Sequence, residues 1–160
     1  MLEQLITAME KAIHEVNKWP EKSVQLFHHN DSDGLTSGAI LTRTFERKGF
    51  DVKRFCLEKP YPAVLKKVFA QEGKLIVLTD FAGRIAPLIS DLNSGKNLTL
   101  ILDHHKANPA TDSMVHNLDP ELFGLKGDLD ITASTTCYHF ATTWDPANKD
   151  LAYIAAIGAV

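Results

Sequence analysis

The chain has almost no cysteine. Cys56 and Cys137 are the only two in 160 residues, far apart and outside any Cys-x-x-Cys pattern. That excludes a disulfide framework and a thiolate zinc site, and fits reduced thiols in a cytoplasmic protein. No segment is long and apolar enough to span a membrane. The N-terminus carries charges every few residues, unlike a secretion signal. Aromatic residues are 8% and no basic run stands out, so the stacking, cationic track of many single-strand binders is not visible. The net charge of −3 argues against holding nucleic acid by bulk charge alone, although bound cations would cancel several acidic groups. There is no repeat and no low-complexity segment.

What remains is an ordinary soluble composition, with 44% hydrophobic and 23% charged residues. The length suits one domain with a real core. Leu2, Leu5, Ile6, Met9, Ile13 and Val16 lie at helical spacing, and Pro20 ends that helix. Val24 to His29 reads as a strand and Leu35 to Lys48 as a helix closed by Gly49. Asp51 to Leu57 alternates as a second strand. Ala63 to Ala70 is a short helix. Leu75 to Thr79 and Leu98 to Leu102 are continuous apolar runs, as strands buried on both faces require. Ile85 to Leu92 reads as a helix between them. Met114 to Leu118 is a weaker strand, and Thr132 to Trp144 and Asp150 to Val160 read as helices. Alternation of this kind predicts an α/β fold: a mostly parallel sheet with helices on both faces, a Rossmann-like three-layer sandwich preceded by an N-terminal helix.

The strand endings carry the chemistry. The first ends at His29, Asp31 and Asp33, the third at Asp80, and the fourth at Asp103, His104 and His105. In a parallel sheet these tips meet on one edge. Along an extended strand His29, Asp31 and Asp33 share the two-residue period, with His28 on the opposite face. Gly34 then permits a sharp turn. Carboxylates this close repel unless a cation sits among them. A carboxylate bridging two divalent cations holds them ~3.5–4 Å apart, the spacing of two-metal phosphoryl-transfer sites. Mixed carboxylate and imidazole ligands suit manganese better than magnesium. A bridging hydroxide as nucleophile then points to hydrolysis of a phosphate ester or anhydride.

His29-Asn30-Asp31-Ser32-Asp33-Gly34, Asp80 and Asp103-His104-His105 resemble the first three motifs of the DHH phosphoesterases. Their order and spacing make the match specific. Asn117 to Gly124, with the helix after Thr132, further resembles the archaeal RecJ-like branch. The resemblance implies that His29 and Asp31 bind one metal, that Asp33 and His104 bind the other, and that Asp80 bridges them. It implies His105 at the scissile phosphate or leaving oxygen, and Asp103 orienting a neighbouring imidazole. It implies two divalent cations, manganese preferred, with magnesium or cobalt as substitutes. The implied activity is a phosphodiesterase or 5′–3′ exonuclease on single-stranded DNA or RNA or short oligonucleotides. Pyrophosphate or a cyclic dinucleotide is the alternative substrate. Replication or repair proteins are the implied partners, and oligomeric state stays open.

The family has a fourth motif with a further metal-binding Asp, and a second domain that holds substrate. Leu151 to Val160 resembles the helix before that motif. The expectation is therefore a catalytic domain, residues 1–160, from the amino-terminal part of a longer protein.

Other residues have plainer readings. Arg84 follows the Asp80 tip and is a candidate phosphate contact, as is Ser37 near a helix N-terminus. Surface exposure and helix capping explain them equally well. Asp128 and Asp130 are expected to be solvated. His14, His116 and His139 are expected to be structural. An aspartyl-phosphate mechanism of the haloacid dehalogenase type would make Asp31 the nucleophile, but Leu35 stands where that motif needs threonine. A non-catalytic scaffold in a replication assembly is the remaining alternative.

Overall fold

Periodicity in the sequence becomes a layered sandwich in the computed structural model, which describes residues 1–160. Helix α1 spans Leu2–Lys18 and strand β1 Ser23–His28. Helix α2 spans Ser32–Arg47, β2 Asp51–Cys56, α3 Pro62–Phe69 and β3 Leu75–Thr79. A 3-10 turn at Gly83–Ile85 leads into α4, Ala86–Asn93. Strand β4 is Leu98–Leu102 and β5 is Val115–Asn117. A 3-10 turn at Pro120–Phe123 precedes α5, Ala133–Trp144. A last 3-10 segment, Pro146–Leu151, leads to α6, Ala152–Gly158.

All neighbouring strands pair in parallel, in the order β2-β1-β3-β4-β5. The two continuous apolar runs are β3 and β4, and both are buried along their whole length. Alternate residues of the strands feed two cores. Val24, Leu26, Val77 and Leu100 pack against α1, α2 and α5. Phe27, Ile76, Leu78 and Ile101 pack against α3 and α4. Each fully buried side chain of this size stabilises the fold by roughly 1.5–3 kcal/mol. Phe45 of α2 stands at the centre of an aromatic cluster with Phe50, Phe140 and Trp144.

The strand order reverses between β1 and β3, because the chain goes first to one side of β1 and then to the other. Ligands of open α/β sheets bind at such a switch point, beyond the strand carboxyl ends. The opposite edge holds the helix-to-strand turns. Gly49, Gly73 and Gly95 make these turns at φ of 83°, 71° and 72°, in open space.

Several boundaries differ from expectation: α2 begins at Ser32 rather than Leu35, and two later helices begin as 3-10 turns. The helix expected from Asp150 begins as 3-10 turns at Pro146, and α-helix runs only over Ala152–Gly158. Pro146 has no N–H to donate, and Asp145 caps it by accepting from Ala147 N–H at 3.0 Å. Similarly, α4 is preceded by the 3-10 turn at Gly83, where the chain bends around the Asp103 carboxylate. No helix is long and apolar enough to cross a membrane.

Candidate metal centre

The first acidic tip is shaped by a helix start rather than by strand alternation. Strand β1 stops at His28, Asp31 is the N-cap of α2, and Asp33 lies in that helix's first turn. Asp31 Oδ1 accepts the Gly34 N–H at 2.8 Å. The capped-turn reading and the site reading therefore hold together. Gly34 is not needed for an unusual φ. It is needed because a Cβ there would overlap the His29 carbonyl and side chain. His28 lies on the α2 face, as expected, and is buried. Burial lowers its pKa, so the ring is neutral: Nδ1–H donates to His29 O at 2.8 Å, and Nε2 accepts from Arg54 Nη2 at 3.2 Å. This clamp fixes the peptide that carries His29.

Asp33 joins two helices. Its Oδ2 accepts the Ala133 N–H at 2.9 Å and its Oδ1 accepts the Ser134 N–H at 2.7 Å. A carboxylate at the positive end of α5 is favourable. The Thr132–Thr135 capping box completes that helix start. Asp33 Oδ2 also lies 3.4 Å from His104 Nε2.

Asp80 sits at the centre. It follows β3 with φ 63°, is 2% exposed, and lies within reach of both other tips. Its Oδ2 is 3.4 Å from His29 Nδ1, and its Oδ1 is 3.2 Å from His104 Nε2. Left-handed backbone at a non-glycine residue costs energy and persists only where the surroundings impose it. His29 Nδ1 is also 2.9 Å from Asp31 Oδ2. Yet His29 Nδ1 and Asp80 Oδ2 are buried without a correctly directed hydrogen bond. Donor atoms that face one another at short range but do not bond to one another fit a cation held among them. Burial first, and then the Asp33 and Asp31 charges, push the Asp80 carboxyl up to about 6. Burial opposes ionisation of Asp31 too, but the Gly34 N–H and its other partners overcome that and hold it low.

The third tip divides its labour. Asp103 is nearly fully buried and both its oxygens are used by protein donors. Oδ2 accepts Gly83 N–H at 2.9 Å, and Oδ1 takes His104 N–H at 2.8 Å and His105 Nδ1 at 2.7 Å. Burial works against its charge, but the His105 bond and charge together with the Gly83 and His104 N–H groups outweigh it and keep the carboxyl low. The Asp103 bond raises His105 to about 9, so this half-exposed imidazole is cationic near neutrality. Burial would lower His104, but its bond to Asp80 together with the Asp33 and Asp80 charges lifts it instead.

Donor atoms of His29, Asp31 and Asp80 lie within 4.8 Å of one another, and so do those of Asp80, Asp103, His104 and His105. Asp80 belongs to both groups. A cleft of about 330 Å³ is lined by Asp31, Asp33, Asp80, His104 and His105 and by Gly158 to Val160. A second, of about 290 Å³, opens beside it between His29, Asp80, His105 and Arg84. Arg84 is exposed there and free to meet an anion. Ser37 is not at either cleft. It is fully buried one turn deeper in α2, against the Cys137 thiol. His116 is structural, paired with Glu15 at 2.7 Å.

Two acidic residues were missed. Asp128 is solvent-exposed, as expected, but its Oδ1 also lies 3.2 Å from His104 Nδ1. Asp119 is wholly buried beside Gly83, and burial raises it to about 7. Gly127-Asp128 and Asp119-Pro120 are turn signals, and Asp119 lies in the Asn117 to Gly124 stretch, but neither pattern assigned a role to these side chains.

The sequence profile of the DHH family, N-terminal domain, matches residues 23–159. The chain belongs to the DHH family. Along its full length it is 29% identical over 166 residues to an uncharacterized protein of Methanocaldococcus jannaschii, of which it covers 38%. Its fold is similar to that of exonuclease RecJ bound to manganese: TM-score 0.74, 17% identity, 94% of this chain and 42% of that one. RecJ of Thermus thermophilus in complex with Mn2+ gives 0.67, with 20% identity over 98% of this chain and 23% of that one. CDC45 of Entamoeba histolytica gives 0.70, with 20% identity over 96% and 32%. The chain thus spans less than half the length of these relatives.

Proposed function

We propose that this chain is the catalytic part of a divalent-metal-dependent phosphoesterase that cleaves single-stranded nucleic acid or short oligonucleotides from the 5′ end. The observation that carries the reading is Asp80, a buried carboxylate common to two donor groups and left without a directed bond at Oδ2. His29 and Asp31 would hold one cation and Asp33 and His104 the other, with Asp80 between them. Two such cations, manganese before magnesium or cobalt, would supply an acidified water and neutralise the phosphate oxygens.

The protein's own residues do the rest. His105, cationic through Asp103, stands at the mouth shared by both clefts, where it steadies a phosphate and hands a proton to the leaving oxygen. Asp103 keeps that ring oriented. Arg84 meets the next phosphate along the second cleft. The two RecJ structures contain manganese, which supports the choice of metal for this fold. The match to the family's N-terminal domain, with the partial coverage of the relatives named above, supports placing the chain in the amino-terminal part of a longer enzyme. A domain supplying the rest of the substrate groove belongs to that proposal, as do replication or repair partners.

The likeness to CDC45 favours one second reading, a non-catalytic member of a replication assembly. A substrate panel decides. The chain, alone and extended past Val160, is given Mn2+ and 5′- or 3′-labelled single strands, dinucleotides, cyclic dinucleotides and pyrophosphate. Release of 5′ mononucleotides, abolished by Asp80→Asn, supports the exonuclease. Manganese binding without any cleavage by the extended chain supports the scaffold.

A further inference from the structure

We infer that Asp128 is a positioning residue: it accepts a hydrogen bond from Nδ1–H of His104 and so leaves the Nε2 lone pair facing Asp80 and Asp33. The inference rests on the metal-centre reading and adds a residue to it.

The two nitrogens of His104 face opposite ways. Nε2 is 3.2 Å from Asp80 Oδ1 and 3.4 Å from Asp33 Oδ2. Nδ1 is 3.2 Å from Asp128 Oδ1, within reach but without a directed hydrogen bond to it or to any other group. A neutral imidazole carries one N–H. If the hydrogen is on Nε2, the ring offers no lone pair to the acidic cleft. If it is on Nδ1, the lone pair points into the cleft. A carboxylate beside Nδ1 selects the second form, as carboxylates behind metal-binding histidines do.

His104 is 5% exposed, so an N–H without an acceptor there is costly. Asp128 is 77% exposed, and its carboxylate has room to swing into line.

The loop is built to deliver Asp128. Gly127 lies against His104 so closely that a Cβ would overlap the His104 carbonyl. Gly127 N–H donates to Glu121 Oε1 at 3.0 Å, and Asp128 N–H donates to Ile131 O at 3.0 Å. Asp130 Oδ2 accepts Lys126 N–H at 2.9 Å, closing the turn. Asp128 itself takes φ 64°, a left-handed conformation held by these contacts. A loop that served only solvent would need none of this against a buried histidine.

The test reads the tautomer of His104 by two-bond 1H–15N correlation in the metal-free full chain, at alkaline pH where the ring is neutral. Manganese affinity is read in parallel by electron paramagnetic resonance. Wild type should show the Nδ1–H form. Asp128→Ala should lose that preference and weaken Mn2+ binding by roughly 10–100-fold. Asp128→Asn keeps a carbonyl acceptor and should retain the Nδ1–H form and most of the affinity. An Nε2–H wild type overturns the inference. So does an Asp128→Ala variant unchanged in both readouts, or equal losses in both variants with the tautomer unmoved, which would mark a charge effect. A wild type that binds no manganese sinks the metal reading instead, while the metal-free tautomer still judges Asp128.

Discussion

Nδ1 of His105 lies 2.7 Å from Oδ1 of Asp103, and that carboxylate has no oxygen left over for anything but protein donors. The pair makes His105 a cation at the mouth of an acidic cleft. The ring should titrate near 9 by proton NMR. Because the folded value is raised, the pair's stabilisation is complete below about pH 6.5 and is lost as pH rises through about 9. Asp103→Asn should return the ring to near 6.5, and the alkaline limb of the pH–rate profile should move down with it.

Asp80 should weaken the metal-free protein at neutral pH. Its carboxyl rises from the ordinary 3.8 to about 6, so the unfolded chain gives up its proton first as pH increases. Stability therefore falls between about pH 4 and 6. In chelator, Asp80→Asn should be more stable than wild type at pH 8 by about 3 kcal/mol, and equal to it at pH 4, as read by urea unfolding. Added Mn2+ should reverse the order by stabilising wild type much more than the variant.

Asp119 offers a comparison with no part in either donor group. Burial raises it to about 7, beside the ionised Asp103. Asp119→Asn should gain on the order of 4 kcal/mol at pH 8 and nothing at pH 4. Its amide turns a donor towards Asp103, and manganese affinity should stay unchanged.

Gly34→Ala should damage both fold and site. The added methyl meets the His29 carbonyl and side chain, so β1 and α2 must separate. A loss of roughly 1–3 kcal/mol is expected in urea melts. Weaker Mn2+ binding should accompany it, since His29 and Asp31 flank the displaced peptide.

Much of this was legible in the sequence. The apolar runs Leu75 to Thr79 and Leu98 to Leu102 are β3 and β4 to the residue, because strands buried on both faces leave no other pattern. The convergence of Asp80 with His29 and His104 followed from parallel strands ending on one edge. The local geometry of the first tip did not. Period-two reasoning gave its three side chains a shared direction, but a capped helix starting at Ser32 is what aims Asp31 and Asp33. Asp128 and Asp119 were invisible for a different reason. Their roles depend on loops folding back across the sequence onto His104 and Gly83, and no local pattern records that contact. Ser37 misled because a helix N-terminus suggests an anion, while its own side chain faces Cys137.

The turns at Gly49, Gly73 and Gly95 stand in open space at the far rim of the sheet. Their remoteness makes that rim the natural handle of the molecule. A fluorophore, an affinity tag or an inserted peptide grafted there would leave the working end undisturbed, and immobilisation through those loops would present the acidic cleft outward to whatever is passed over it.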